Sequence, residues 1–171
     1  EFDDLETFEV TKCKPLSVTL AVESRTRRIL GIAVSSMPAK GLLVDRARKY
    51  GPRVDGRARG RSRLFREIKD LIYPDAVIKS DSNPHYPSDV KKHFPNAKHV
   101  TYFGKRGSLG GQGELKKTRF DPLFSLNHTC AMFRANVNRL FRKTWCTTKR
   151  SDRLYAHLVL YAQFHNASLT H

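Results

Sequence analysis

The first third of the chain alternates apolar and polar positions with a period of two. Leu5 to Val10 sets Phe8 and Val10 on one face, and Leu16 to Glu23 alternates through a β-branched run of Val18, Thr19 and Val22. Successive strand side chains point to opposite faces, so each run predicts a strand. Lys12 to Pro15 reads as the turn between them, Arg25 to Arg28 as a short basic hairpin turn, and Ile29 to Ser35 as a third strand. Three consecutive strands joined by short turns predict an antiparallel meander.

Periodicity is then lost from Met37 to Ser62. That stretch carries Arg46, Arg48, Lys49, Arg53, Arg57, Arg59 and Arg61 among four glycines, and it reads as a basic loop over 38–62 in which Leu42 to Val44 can begin a short helix. From Arg63 to Tyr73 the apolar residues Leu64, Phe65, Ile68, Leu71 and Ile72 recur at helical spacing, and Pro74 stops the helix. A fourth strand, Ala76 to Ser80, ends at Asp81. Ser88 to Phe94 reads as a short helix capped by Ser88 and closed by Pro95, and His99 to Phe103 as a fifth strand. A second basic loop, over 104–118, is rich in glycine. Pro122 to Lys143 reads as the longest helix, with Leu126, Cys130, Phe133, Val137 and Leu140 as a core stripe and Asn127, Arg134, Asn138 and Arg142 on the neighbouring face. Ser151 caps a last helix with Leu154, Leu158, Tyr161 and Phe164 inward.

The order β-β-β-α-β-α-β-α-α describes an α/β fold: a ribonuclease H-like mixed five-stranded sheet flanked by helices, formed by residues 1–171 as one domain. In that layout the first and fourth strands lie side by side, and their ends bring Asp3 or Asp4 next to Asp81. Because adjacent strand positions face opposite ways, only one of the first two can share a site with Asp81. An Asp-x-Glu arrangement with Glu6 favours Asp4; Asp3 is the alternative.

Charge supplies the expected substrate. The chain has 32 Lys+Arg against 16 Asp+Glu, a formal net charge of +16, and a field of that sign draws polyanions. The basic residues are spread along the chain rather than gathered on one amphipathic helix, which favours nucleic acid over a membrane surface. Five of the first nine residues are nevertheless acidic, Glu1, Asp3, Asp4, Glu6 and Glu9. Carboxylates held within such a field, one of them at a strand end before the Pro-containing loop Ser82 to Tyr86, suit Mg²⁺ held against a phosphodiester. The cysteines Cys13, Cys130 and Cys146 lack metal-knuckle spacing and fit a reducing, cytoplasmic setting. No run of 18 apolar residues exists and no secretory signal is expected.

With those features in place, the chain resembles the catalytic domain of DDE-type insertion-sequence transposases from prokaryotes. The compact family that it resembles opens a basic helix with its third acid, in a pattern close to E-R-x-N-x-x-x-R-x-x-x-x-R-L-x-R-K-T. Arg134, Arg139, Leu140, Arg142, Lys143 and Thr144 match that pattern, and Asp81 with Tyr86 echoes its T-D-G-x-x-x-Y segment. Asp3-Asp4-Leu5-Glu6-Thr7-Phe8 loosely resembles its first acidic strand, and counting from Phe8 against the pattern of that family favours Asp3.

The resemblance implies two-metal cleavage and strand transfer of DNA, with Mg²⁺ or Mn²⁺ held by Asp4, Asp81 and Asn127. It also implies a homodimer or higher oligomer on element-end and target DNA, and a nucleoid-associated location. The third acid falls on Asn127, which is not an acid; Glu114, 33 positions after Asp81, is the alternative, as Asp3 is for the first. His128 reads as an ordinary helix-surface histidine. Lys105, Arg106, Lys116, Lys117, Arg134, Arg139, Arg142 and Lys143 are the expected phosphate contacts. The N-terminal DNA-reading module usual in such transposases is expected to be absent. The rival readings are an inactive nucleic-acid-binding relic and a nuclease without strand transfer.

Overall fold

The computed structural model describes residues 1–103, 121–141 and 145–169. Strands β1 (Phe2–Glu9), β2 (Thr11–Val22) and β3 (Ile29–Ser36) form an antiparallel sheet in that order. Four residues of β2 account for much of its packing: Leu16, Val18, Leu20 and Val22 all enter the core on one side, as period-two alternation requires. The turn before it is tighter than the sequence suggests. It pivots at Val10 (φ 61°), and the expected turn Lys12 to Pro15 is part of β2. Pro15 is tolerated because its carbonyl, on the β3 side, accepts from the Met37 amide, so its missing N–H faces the same side, just past the last β2–β3 rung, Leu16 with Ser36.

Helices α4 (Phe124–Asn136) and α5 (Ser151–Ser168) cover this face of the sheet, where Leu126, Phe133, Leu154 and Leu158 pack on Leu5, Val18 and Leu20. On the other face lie α2 (Arg57–Ile68) and α3 (Tyr86–His93), with Leu64, Phe65, Tyr86 and Val90 against Phe2, Ala21 and Ala33. A short helix, α1 (Val44–Ala47), flanked by single 3-10 turns, precedes α2. The stretch expected as one basic loop over 38–62 therefore holds helical structure and the first half of α2. The apolar pattern misses it because Arg61, formally polar, is buried there, and because Gly60 lies against Ser35 where a larger residue would collide.

Strands β4 (Val77–Asp81) and β5 (Lys98–Tyr102) pair in parallel, with α3 between them in the chain. The single five-stranded sheet expected from the element order is not formed among the described residues: β1 and β4 are in contact, but no ladder joins the pair to the three-stranded sheet. The seam between them carries Asp3 on β1 and Asp81 on β4.

Two helices also differ from expectation. α4 ends at Asn136 rather than running to Lys143. Val137 turns to extended geometry (φ −105°, ψ 101°) and buries its side chain, and a 3-10 turn over Asn138–Leu140 follows. In α5, Leu154 and Leu158 face inward as expected, whereas Phe164 is exposed and Ala162 and His165 are buried instead. Among the described residues no helix is long and apolar enough to cross a membrane.

Candidate active site

Alternation along β1 separates its two aspartates. Phe2 belongs to the core under α2 and α3, and Leu5 to the core under α4 and α5. Asp4 therefore shares the α2 side with Phe2, and Asp3 the α4 side with Leu5. In β4, Ile78 belongs to the α2–α3 core, so Lys79 and Asp81 project the other way. The structure thus sets Asp3 beside Asp81, facing α4, and sets Asp4 apart from them.

Asp4 has other work. Its carboxylate accepts from the Thr19 hydroxyl, and its Oδ2 lies 3.2 Å from Arg61 Nη1. Arg61 is only 3% exposed; its Nε also donates to Asp89 Oδ2 at 2.7 Å, and its guanidinium lies over the Tyr86 ring at 5.1 Å. A buried cation held by two carboxylates and an aromatic face is a structural link tying β1 to α2 and α3. Nothing in the basic stretch around Arg61 marks it in the sequence as different from its neighbours.

Asp3 is the perturbed group. Burial first, and then the charge of Asp81, push its carboxyl up from 3.8 to about 7. Two donors partly offset this: the Asp4 amide donates to Asp3 Oδ1 at 2.7 Å, and the Tyr86 hydroxyl donates to the same oxygen at 3.0 Å. Burial and the surrounding carboxylates hold the Tyr86 proton far above the usual phenol range, so Tyr86 acts here as a donor only. Asp81 is placed by its own loop, since its Oδ1 accepts from the Asn83 amide at 3.0 Å in a local turn.

The facing helix adds Cys130 and Arg134. Burial and the Asp3 charge push the Cys130 thiol up to about 12, with Arg134 acting in the opposite direction, so Cys130 is a neutral neighbour of the pair. Asn127 lies one turn before Cys130, and its amide nitrogen donates to Asp121 Oδ2 at 2.9 Å. His128 contacts Arg27 Nη1 through its ring nitrogens, at 3.4 and 3.3 Å, away from the carboxylates. Glu1 anchors the start of α4: its Oε2 accepts from the Leu126 amide at 2.9 Å, and its Oε1 lies 3.9 Å from Lys79 Nζ on β4. Arg139 lies in the 3-10 turn after α4. The other expected site residues, Lys105, Arg106, Glu114, Lys116, Lys117, Arg142 and Lys143, lie outside the described residues.

Two half-buried carboxylates in close approach, one holding its proton to neutral pH, are the donor set of a hard divalent cation that would relieve their repulsion. The pair fits one such ion. Among the described residues no group of three His, Cys, Asp or Glu side chains gathers to hold a metal. No family model, no curated protein and no solved structure matches the chain.

Proposed function

We propose that this chain is a DNA-processing domain of the DDE transposase class, built on a ribonuclease H-like plan and performing phosphoryl transfer at Asp3 and Asp81. The observation that carries the proposal is the placement of these two carboxylates on adjacent strands, facing one helix, in a protein of net charge +16. The strand order supports the same plan, with β3, β2 and β1 in sequence, β4 against β1, and β5 beyond. A divalent cation bound by the pair would supply an activated water or 3′-hydroxyl and offset phosphate charge.

The chain's own residues have distinct parts in this reading. Asp3 and Asp81 bind and orient. Tyr86 and the Asp4 amide hold Asp3 in one rotamer. Arg134, on the helix facing the pair, meets the phosphate of the reacting strand, with Arg139 beyond it. Such contacts position DNA without reading its sequence.

One observation favours a second reading. Asn127 occupies the position of the family's third acid and is engaged with Asp121, which leaves two carboxylates where three are usual. A binding-only descendant of a transposase fits that arrangement.

Incubation of the protein with supercoiled plasmid and a labelled oligonucleotide bearing a free 3′-hydroxyl, in Mg²⁺ or Mn²⁺, separates the readings. Transposase chemistry predicts nicking and joining that Asp3→Asn and Asp81→Asn both abolish. Nicking without joining selects a nuclease. Salt-sensitive DNA binding with neither reaction selects the binding-only protein. Equal reaction by the wild type and Asp81→Asn removes the carboxylate pair from the mechanism.

A further inference from the structure

Beyond the helix that faces the carboxylate pair, the chain turns through Asn138–Leu140 and returns along 145–149 before entering α5. Between these segments lies a groove of about 590 Å³. Val137, Tyr161 and the largely exposed Leu160 line it on the apolar side, and Arg139, Lys149 and Trp145 line it with charge and an aromatic ring. Among the described residues no carboxylate lines it. Trp145, the chain's single tryptophan, is 100% exposed at its mouth.

An indole packed on none of the described residues is an unusual surface group, because aromatic side chains are the largest apolar groups available for burial. Here it stands in a groove whose charged lining, among the described residues, is basic. The backbone beneath it is nevertheless anchored: the Val10 amide donates to Thr148 O at 2.6 Å, and the Thr148 side chain is fully buried. The ring is thus presented from a fixed segment rather than from a free end.

We propose that this groove binds single-stranded DNA, with Trp145 stacking on an unpaired base and with Arg139 and Lys149 on the flanking phosphates. The proposal rests on the DNA-directed reading of the chain and extends it by a strand-type preference. Charge complementarity selects a polyanion. The exposed ring selects an unpaired one, because in a duplex both faces of every internal base are already covered by its neighbours. The groove lies at the far end of the helix that carries Cys130: it opens at Asn136, six residues past Cys130, about 9 Å along the helix axis.

The test uses the tryptophan itself. The protein is titrated with an oligothymidylate 15-mer, and separately with a duplex of equal length, in EDTA at low salt, while Trp145 emission is followed. Saturable quenching of wild-type emission by the single strand is expected; the variants, which lack the chain's one tryptophan, are read by the anisotropy of a fluorescein-labelled strand, with Trp145→Ala weakening binding about tenfold and Trp145→Phe keeping most of the affinity. Lys149→Gln should weaken binding and lower the salt slope by about one ion. Because the ring is fully exposed, its truncation removes no packing, and an unchanged urea midpoint confirms this for the variant.

Equal affinity of Trp145→Ala and wild type overturns the proposal, as does single-strand binding without quenching. Emission that changes with protein concentration and not with DNA overturns it in favour of a contact between copies of the chain. EDTA removes the metal chemistry from the measurement, so a failure here leaves the nicking and joining assay to decide the catalytic reading. A failure of that assay likewise leaves the groove standing.

Discussion

Replacing Asp3 by asparagine should make the protein more stable at alkaline pH while disabling the proposed chemistry. The wild-type carboxyl titrates at about 7 rather than 3.8, because burial and Asp81 disfavour its charge. The folded state therefore holds this proton to higher pH than the unfolded state does. The contribution of Asp3 to stability is fully present below pH ~4 and falls as pH rises through about 7. At about 1.4 kcal/mol per pH unit, that window corresponds to a ceiling of about 4 kcal/mol lost at pH 8, with roughly 2 kcal/mol expected once water reaches the site. Asparagine keeps an acceptor for the Tyr86 hydroxyl and the Asp4 amide and carries no charge. Asp3→Asn should therefore match the wild type near pH 4 and exceed it by roughly 2 kcal/mol at pH 8, a rise in Tm of about 4–8 °C for a chain of this size. Urea unfolding of both proteins at a series of pH values between 4 and 8.5 measures this, and the difference between the two curves isolates Asp3 from other titrating groups. A difference that stays flat with pH, or an Asp3→Asn protein less stable than wild type at pH 8, would refute the reasoning. Stability gained where activity is lost is the usual mark of a functional site held against its own repulsion.

Asp81→Asn should move the Asp3 midpoint downward, since the Asp81 charge is a cause of its elevation after burial, and a carboxyl-carbon NMR titration would detect it; an unmoved midpoint would place the two groups apart. Arg61→Met leaves Asp4 without its buried cation and should cost about 3–5 kcal/mol in urea unfolding, part of which the double change Arg61→Met with Asp4→Asn recovers. Gly31→Ala would bring a Cβ to 2.6 Å from Leu64 Cδ1 and 2.8 Å from Ile68 Cγ2, so these buried side chains must be displaced at a cost of about 1–3 kcal/mol, read as a lowered urea midpoint at unchanged slope.

The sequence by itself determined the pieces that depend on neighbours along the chain. Alternation in β2 and the spacing of Leu64, Phe65 and Ile68 in α2 are local consequences of strand and helix geometry, and both are legible without a fold. The same holds for the separation of Asp3 from Asp4, because adjacent strand residues must face opposite ways. Which of the two meets Asp81 was not legible, since it depends on which face of the sheet α4 and α5 cover. That face is set by packing of Leu5 with Leu126 and Phe133, which lie more than a hundred positions further along the chain. Arg61 was hidden for a related reason: a charged residue becomes a buried structural element only where Asp4, Asp89 and Tyr86 converge on it from three different elements. Asn127 shows the converse. Its place in a helical pattern could be read from the chain, but its partner, Asp121, is a property of how the segment before α4 folds back. Local periodicity thus wrote the elements and the list of acids; long-range packing decided which acids share a site.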